Sequence, residues 1–155
     1  MHLLAQQEYG LRCLVQVARH PGDTPATIPE IAEAEGLSPD YTAKLMRALR
    51  QRGLVTSTRG PGGGYRLARP ASELSAWEVV EQLGGSLFRD DFCESHPGVL
   101  QDCAHSVDCS IRALWRRVEH AVRKVLEDVT IEDLTRSEKS LGVFVDAPSF
   151  AEERL

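Results

Sequence analysis

Two helix starts separated by one tight turn constrain this chain more than any other feature. Thr27-Ile28-Pro29-Glu30 has the spacing of a capping box, in which a hydroxyl and a carboxylate satisfy each other's backbone amides. Pro29 is tolerated in a first turn, where its missing N–H costs little. Ile31 and Ala32 point inward, Gly36 ends the helix, and Leu37 plugs the space before the next one. Ser38 with Pro39 then opens another helix, a cap followed by a residue preset for helical φ. That helix runs to about Arg52, with Tyr41, Leu45 and Leu49 as its inward stripe. Only Gly36-Leu37-Ser38 lies between the two helices, and a short helix, a glycine turn and a second helix is a helix-turn-helix.

Residues 53–67 complete the unit. Gly53 stops the helix, Leu54–Arg59 reads as a strand, and Tyr65-Arg66-Leu67 reads as its partner. Gly60-Pro61-Gly62-Gly63-Gly64 between them is too flexible for regular structure and suits a hairpin tip. A hairpin directly after such a helix is a wing. The same glycines lack the Gly-Lys-Ser/Thr ending of a P-loop. Ahead of this unit, residues 4–20 read as a helix with Leu11, Leu14, Val15 and Ala18 on one face, closed by His20-Pro21-Gly22-Asp23.

Charge agrees with a nucleic-acid partner despite an overall net charge of −5. The first seventy residues are net basic, and the remainder is strongly acidic. From Lys44 to Arg69 stand Lys44, Arg47, Arg50, Arg52, Arg59, Arg66 and Arg69, with no acidic residue among them. A polyanion responds to such a local stripe and not to the sum. Recognition helices touch base edges from their N-terminal end. Ser38, Tyr41, Thr42 and Lys44 are therefore candidate contacts there, with Asp40 and Ala43 on neighbouring exposed positions. Arg47 and Arg50 lie further along and suit phosphates, which position a protein without reading sequence. Arg59 and Arg66 flank the wing tip, where Gly62 and Gly63 allow close approach to the backbone. An arginine on a wing suits the minor groove, where negative potential concentrates.

The second half carries different chemistry. Ser75-Ala76-Trp77-Glu78 reads as another capping box, opening a short helix through Leu83 that Gly84-Gly85 closes. Residues 86–109 have no period and read as a loop. They hold Cys93, Cys103 and Cys109 in the spacing Cys-x9-Cys-x5-Cys. No apolar run is long enough to span a membrane, and the N-terminus lacks a signal-peptide pattern, which places the protein in the cytoplasm. A disulfide framework is disfavoured there, so clustered thiols point to metal or redox chemistry. Paired Cys-x2–4-Cys zinc knuckles are missing, and three spread thiolates fit the edge of an iron–sulfur cluster better. Cys13 borders the apolar face of the first helix and reads as a buried structural thiol. Ile111, Trp115, Val118, Val122, Val125 and Val129 alternate at spacings of 4 and 3, an a/d seam on a helix that needs a partner. Thr130-Ile131-Glu132-Asp133 starts a short last helix, and the chain from Leu141 reads as a loose tail.

Arg59-Gly60-Pro61-Gly62-Gly63-Gly64-Tyr65, with Gly53-Leu54-Val55 ahead of it, resembles the wing of the Rrf-two family of regulators, the IscR/NsrR group. The N-terminal helix, the Ser75–Leu83 segment and the order of cysteines then long helix are similar too. The resemblance covers about residues 1–140. It implies a mostly α fold: a winged helix-turn-helix with a two-stranded wing, plus a long C-terminal dimerisation helix that crosses its twin. It also implies a homodimer on a double-stranded DNA operator, no membrane, and a [2Fe–2S] or [4Fe–4S] cluster held by three cysteines and one other ligand. This chain departs from the pattern at two positions. IscR-type members carry Glu where this chain has Ala43, so a carboxylate able to accept from cytosine is missing. They also place a ligating His three residues past the last cysteine, where this chain has Arg112. NsrR-type members use a carboxylate on the partner's first helix, and the matching residue is Glu8; His96 and His105 are the competitors. The expected organisation is a DNA-binding unit at 1–70, a cluster loop and dimerisation helix at 71–140, and a tail at 141–155.

Such a protein would be a transcriptional repressor whose operator affinity is controlled by a cluster that senses redox, nitric oxide or iron–sulfur status. Two alternatives stand beside it. One is a cluster-free regulator of the same fold that senses thiol redox or a ligand. The other is an interaction or electron-transfer module that does not bind DNA. An enzyme is disfavoured, since no nucleophile stands at credible spacing from a base.

Overall fold

A computed structural model describes residues 4–22, 24–85 and 108–137. Cys93, Cys103, His96, His105 and the 141–155 tail lie outside the described residues. The chain order is α1 (Ala5–Arg19), α2 (Ile28–Glu35), α3 (Pro39–Gln51), β1 (Val55–Thr58), β2 (Gly64–Leu67), a 3-10 turn (Ala71–Glu73), α4 (Ala76–Gly84), α5 (Ser110–Glu127) and α6 (Ile131–Leu134). This is the expected mostly α, winged arrangement.

The local signals act as their chemistry requires. Thr27 N–H donates to Glu30 Oε2 at 2.8 Å, and Glu30 N–H returns to Thr27 Oγ1 at 3.5 Å. Gly36 ends α2 in the left-handed region, φ 63°, where a side chain would be strained. Ser38 Oγ accepts from Tyr41 N–H at 3.3 Å and starts α3. Thr130 and Asp133 close a reciprocal box, at 3.0 and 3.1 Å, ahead of α6. The box expected at Ser75 forms by half. Ser75 Oγ caps Glu78 N–H at 3.2 Å, but the Glu78 carboxylate pairs with Arg69 instead of turning back.

The wing is a two-stranded antiparallel sheet in the register Val55↔Leu67, Thr56↔Arg66, Ser57↔Tyr65 and Thr58↔Gly64. Gly63 N–H donates to Gly60 O at 2.8 Å across Pro61-Gly62, and Gly62 has φ 76°. Proline then a positive-φ glycine makes a type II turn. The hairpin is stitched to the loop before α2: Ala26 and Tyr65 exchange backbone hydrogen bonds at 2.9 and 2.8 Å.

The core gathers Cys13, Leu14, Val17, Ile31, Leu45, Met46, Leu49, Leu54, Leu74, Val79, Leu83 and Ile131. The buried face of α1 is rotated from the expected one. Gln7, Gly10, Cys13, Leu14 and Val17 are buried, whereas Leu11, Val15 and Ala18 are only partly so. The reason is α4, which packs against α1 at Gly10, so close that an added Cβ would strike Leu83. Ala76 N–H to Val129 O and Ile131 N–H to Leu74 O, both 2.8 Å, tie the start of α4 to the junction between α5 and α6. Among the described residues no helix is long and apolar enough to cross a membrane.

Candidate nucleic-acid interface

The second helix of the helix-turn-helix, α3, buries one side and offers the other. Leu45, Met46 and Leu49 are buried, and Ser38, Asp40, Lys44, Arg47 and Arg50 are exposed. Arg50 Nη1 reaches Ser57 Oγ on β1 at 3.4 Å, so the helix surface continues onto the wing. Arg59 and Arg66 are exposed on the wing, with Gly62 at its open tip. Gly63 is half-buried because Gly60 O crowds the place of its Cβ at 2.8 Å.

Two expected contacts sit elsewhere. Thr42 is completely buried, because it lies one turn before Met46 on the core side. Its Oγ1 finds no partner among the described residues and cannot reach a groove. Tyr41 is half-buried, edge-on to Tyr9 of α1 with ring centroids 5.9 Å apart, while Arg12 covers that Tyr9 ring at 5.4 Å. Two cations of the basic stripe are also engaged inside the molecule. Arg52 donates to the Gln82 carbonyl, and Arg69 pairs with Glu78, whose hydrogen bond holds the Arg69 guanidinium above its usual range. Arg52 and Arg69 are exposed as well but are held by these bonds, which leaves Lys44, Arg47, Arg50, Arg59 and Arg66 as the cations offered on two adjoining elements.

Sequence reasoning missed Gln7. It is buried, donates Nε2 to Val80 O at 2.8 Å and accepts from Leu4 N–H at 2.8 Å. A glutamine in a first turn carries no signal of burial, since most are exposed.

Of the proposed cluster ligands, Cys109 and Glu8 are described. Cys109 is the half-exposed N-cap of α5, and its Sγ accepts from Arg112 N–H at 3.3 Å. Glu8 is exposed on the first turn of α1, beside buried Gln7. A partly exposed cysteine sulfur and an exposed carboxylate are both donor types that metals accept. Both groups therefore have the chemistry and access of a ligand. Among the described residues no group of three or more His, Cys, Asp or Glu is assembled to hold a metal. Cys13 is fully buried, and burial pushes its thiol up to about 12, which keeps it a neutral core group as expected. On α5, Ile111, Leu114, Trp115 and Val125 are 57, 53, 39 and 61% exposed, too large an apolar set for a face meant for water.

Comparison with known proteins agrees with this surface. The pattern of the Rrf2 family, described as iron-dependent transcriptional regulators, matches residues 3–137. The chain is 32% identical over 143 residues to the HTH-type transcriptional regulator IscR of Vibrio atlanticus, covering 92% of this chain and 80% of that one. It is 34% identical over 136 residues to protein rrf2 of Nitratidesulfovibrio vulgaris, covering 88% of each. Among solved structures, CymR, the global cysteine regulator of B. subtilis, superposes with a TM-score of 0.70 at 31% identity, covering 87% of this chain and 96% of that chain. IscR of T. potens superposes with a TM-score of 0.68 at 29% identity, covering 86% and 85%. A winged helix-turn-helix with an exposed basic face and a matching family pattern over most of its length makes the chain a member of the Rrf2 family of transcriptional regulators, which bind DNA and are not enzymes.

Proposed function

We propose that this regulator acts as a homodimer on a double-stranded operator, with an iron–sulfur cluster as its sensor. In this reading α3 enters the major groove and the wing lies on the neighbouring minor groove. The observation that carries it is the exposed face of Lys44, Arg47, Arg50, Arg59 and Arg66, five cations against the single carboxylate of Asp40, joined across the two elements by the Arg50–Ser57 hydrogen bond. Removing one phosphate contact lowers the slope of log affinity against log salt by about 0.9. Arg47→Gln and Arg66→Gln, titrated by fluorescence anisotropy on a selection-enriched duplex between about 50 and 200 mM salt, should each show that loss. Unchanged slopes in both would refute the interface.

The exposed apolar residues of α5 support pairing through that helix, since such a face is stable only when covered. Two copies would then present two recognition helices to half-sites a whole number of DNA turns apart. Cys93, Cys103 and Cys109, with Glu8 of the partner subunit, would hold a [2Fe–2S] or [4Fe–4S] cluster. Likeness to IscR-named relatives supports this, as do the amide-capped Cys109 and the accessible Glu8. Such a cluster supplies a redox-, nitric-oxide- or iron-responsive state. A carboxylate shared across the dimer would tie that state to the spacing of the two readers. Anaerobically purified protein should carry visible absorbance that Cys109→Ser abolishes and Glu8→Ala alters in spectrum or lifetime. An unaltered Glu8→Ala spectrum would remove Glu8 from the ligand set. A colourless wild type whose thiol count falls on mild oxidation would favour a cluster-free cysteine switch, the reading that likeness to CymR supports.

A further inference from the structure

The two engaged cations of the basic stripe end on the same helix. Arg52 caps the end of α3 and donates Nε to the carbonyl of Gln82. Gln82 lies in the last turn of α4, where carbonyls have no partner within the helix. A cation there also meets the negative end of the helix dipole. Arg69 comes just after β2 and donates Nη2 to Glu78, in the first turn of α4. Thus a cation from the recognition helix holds one end of α4, and a cation from the wing holds the other. On its remaining sides α4 receives Gln7 of α1 at Val80 O, at 2.8 Å, and lays Trp77 under Arg123 of α5 at 5.4 Å.

We propose that Arg52 and Arg69 are positioning residues that fasten the recognition helix and the wing to opposite ends of α4, and are not phosphate contacts. The inference rests on the DNA-binding reading of the basic face. Glu78 neutralises Arg69 locally, so the pair offers a phosphate little net attraction. Arg52 spends its Nε on a last-turn carbonyl of α4, and its Nη1 faces Ala48 O at 3.4 Å within α3. Two attachments at opposite ends fix an orientation, where one would leave a hinge. Movement of α4 against α1 or α5 is thereby passed to both DNA-reading elements together.

The full-length dimer tests this by salt-dependent DNA binding, with the interface substitutions Arg47→Gln and Arg66→Gln alongside. Arg52→Gln and Arg69→Gln should weaken binding about two- to fivefold, the scale of a half-exposed pair, at wild-type salt slope. Glu78→Gln should weaken binding as Arg69→Gln does, and the double variant should be no weaker than either. Arg52→Lys keeps the charge but lacks the Nε donor, so it should behave as Arg52→Gln. Hydrogen exchange of α4 amides should quicken in Arg52→Gln and Arg69→Gln. The proposal is overturned if Arg69→Gln lowers the slope by about 0.9, if Glu78→Gln tightens binding, or if Arg52→Lys binds as wild type. Wild-type slopes in Arg47→Gln and Arg66→Gln would instead overturn the interface reading, and the ties with it.

Discussion

Replacing Gly84 with alanine should destabilise the wild-type protein yet stabilise it once Gln7 is gone. Gly84 closes α4 directly against the Gln7 side chain, and an added Cβ would lie 2.8 Å from Gln7 Cγ, with the amide group nearer still. The amide cannot swing aside freely, because Val80 O and Leu4 N–H hold it at 2.8 Å each. Each hydrogen bond is worth about 1 kcal/mol, and a displaced buried amide left unpaired costs roughly 1–3 kcal/mol more. Alanine at a helical glycine returns at most about 1 kcal/mol. Gly84→Ala should therefore cost about 2–4 kcal/mol. Gln7→Ala should cost a similar amount, from the same two bonds plus buried methylenes at about 0.8 kcal/mol each. In the Gln7→Ala background the new methyl enters vacated space, so adding Gly84→Ala should gain up to about 1 kcal/mol. Urea unfolding at one fixed protein concentration measures the cycle and keeps any dimer contribution constant. Additive costs, with no change of sign, would refute the packing argument.

Single groups give further outcomes. Because burial pushes the folded Cys13 thiol up to about 12, while an unfolded thiol ionises near ~8.5, the unfolded chain loses its proton first. Stability should then be flat below the unfolded value and fall by about 1.4 kcal/mol per pH unit as pH rises toward 12, a slope that Cys13→Ala removes in urea titrations. A thiol reagent should leave Cys13 unlabelled in the native protein and label it on unfolding. Gly64→Ala would set a Cβ 2.5 Å from Ala26 O, forcing the wing off the loop it is stitched to; DNA affinity should fall more than stability does, and equal affinity would show that the wing needs no such support.

Much of the fold was legible because its signals are short. The hydroxyls of Thr27, Ser38, Ser75 and Thr130 bond to amides three residues ahead, and Gly36 and the Pro61-Gly62 pair answer demands of their own backbone. Such interactions form within one turn, so residue identity and spacing determine them wherever the helix is later placed. The basic stripe and the cysteine cluster were legible for the same reason, as runs along the chain.

Tertiary structure decided which of those residues are available. Thr42 reads as a polar residue near the start of a recognition helix, yet the packing of α3 turns it completely inward. Arg52 and Arg69 are indistinguishable in the sequence from Arg47 and Arg66, yet the partners that remove them from the basic face, Gln82 and Glu78, are 30 and 9 residues away. Gln7 owes its burial to a carbonyl 73 residues distant. A helical pattern announces that a face is apolar, but the phase of α1 was settled by the helix that landed on it. Local hydrogen bonds close within a few residues of chain, whereas burial depends on which surfaces meet, and that is a property of the assembled fold.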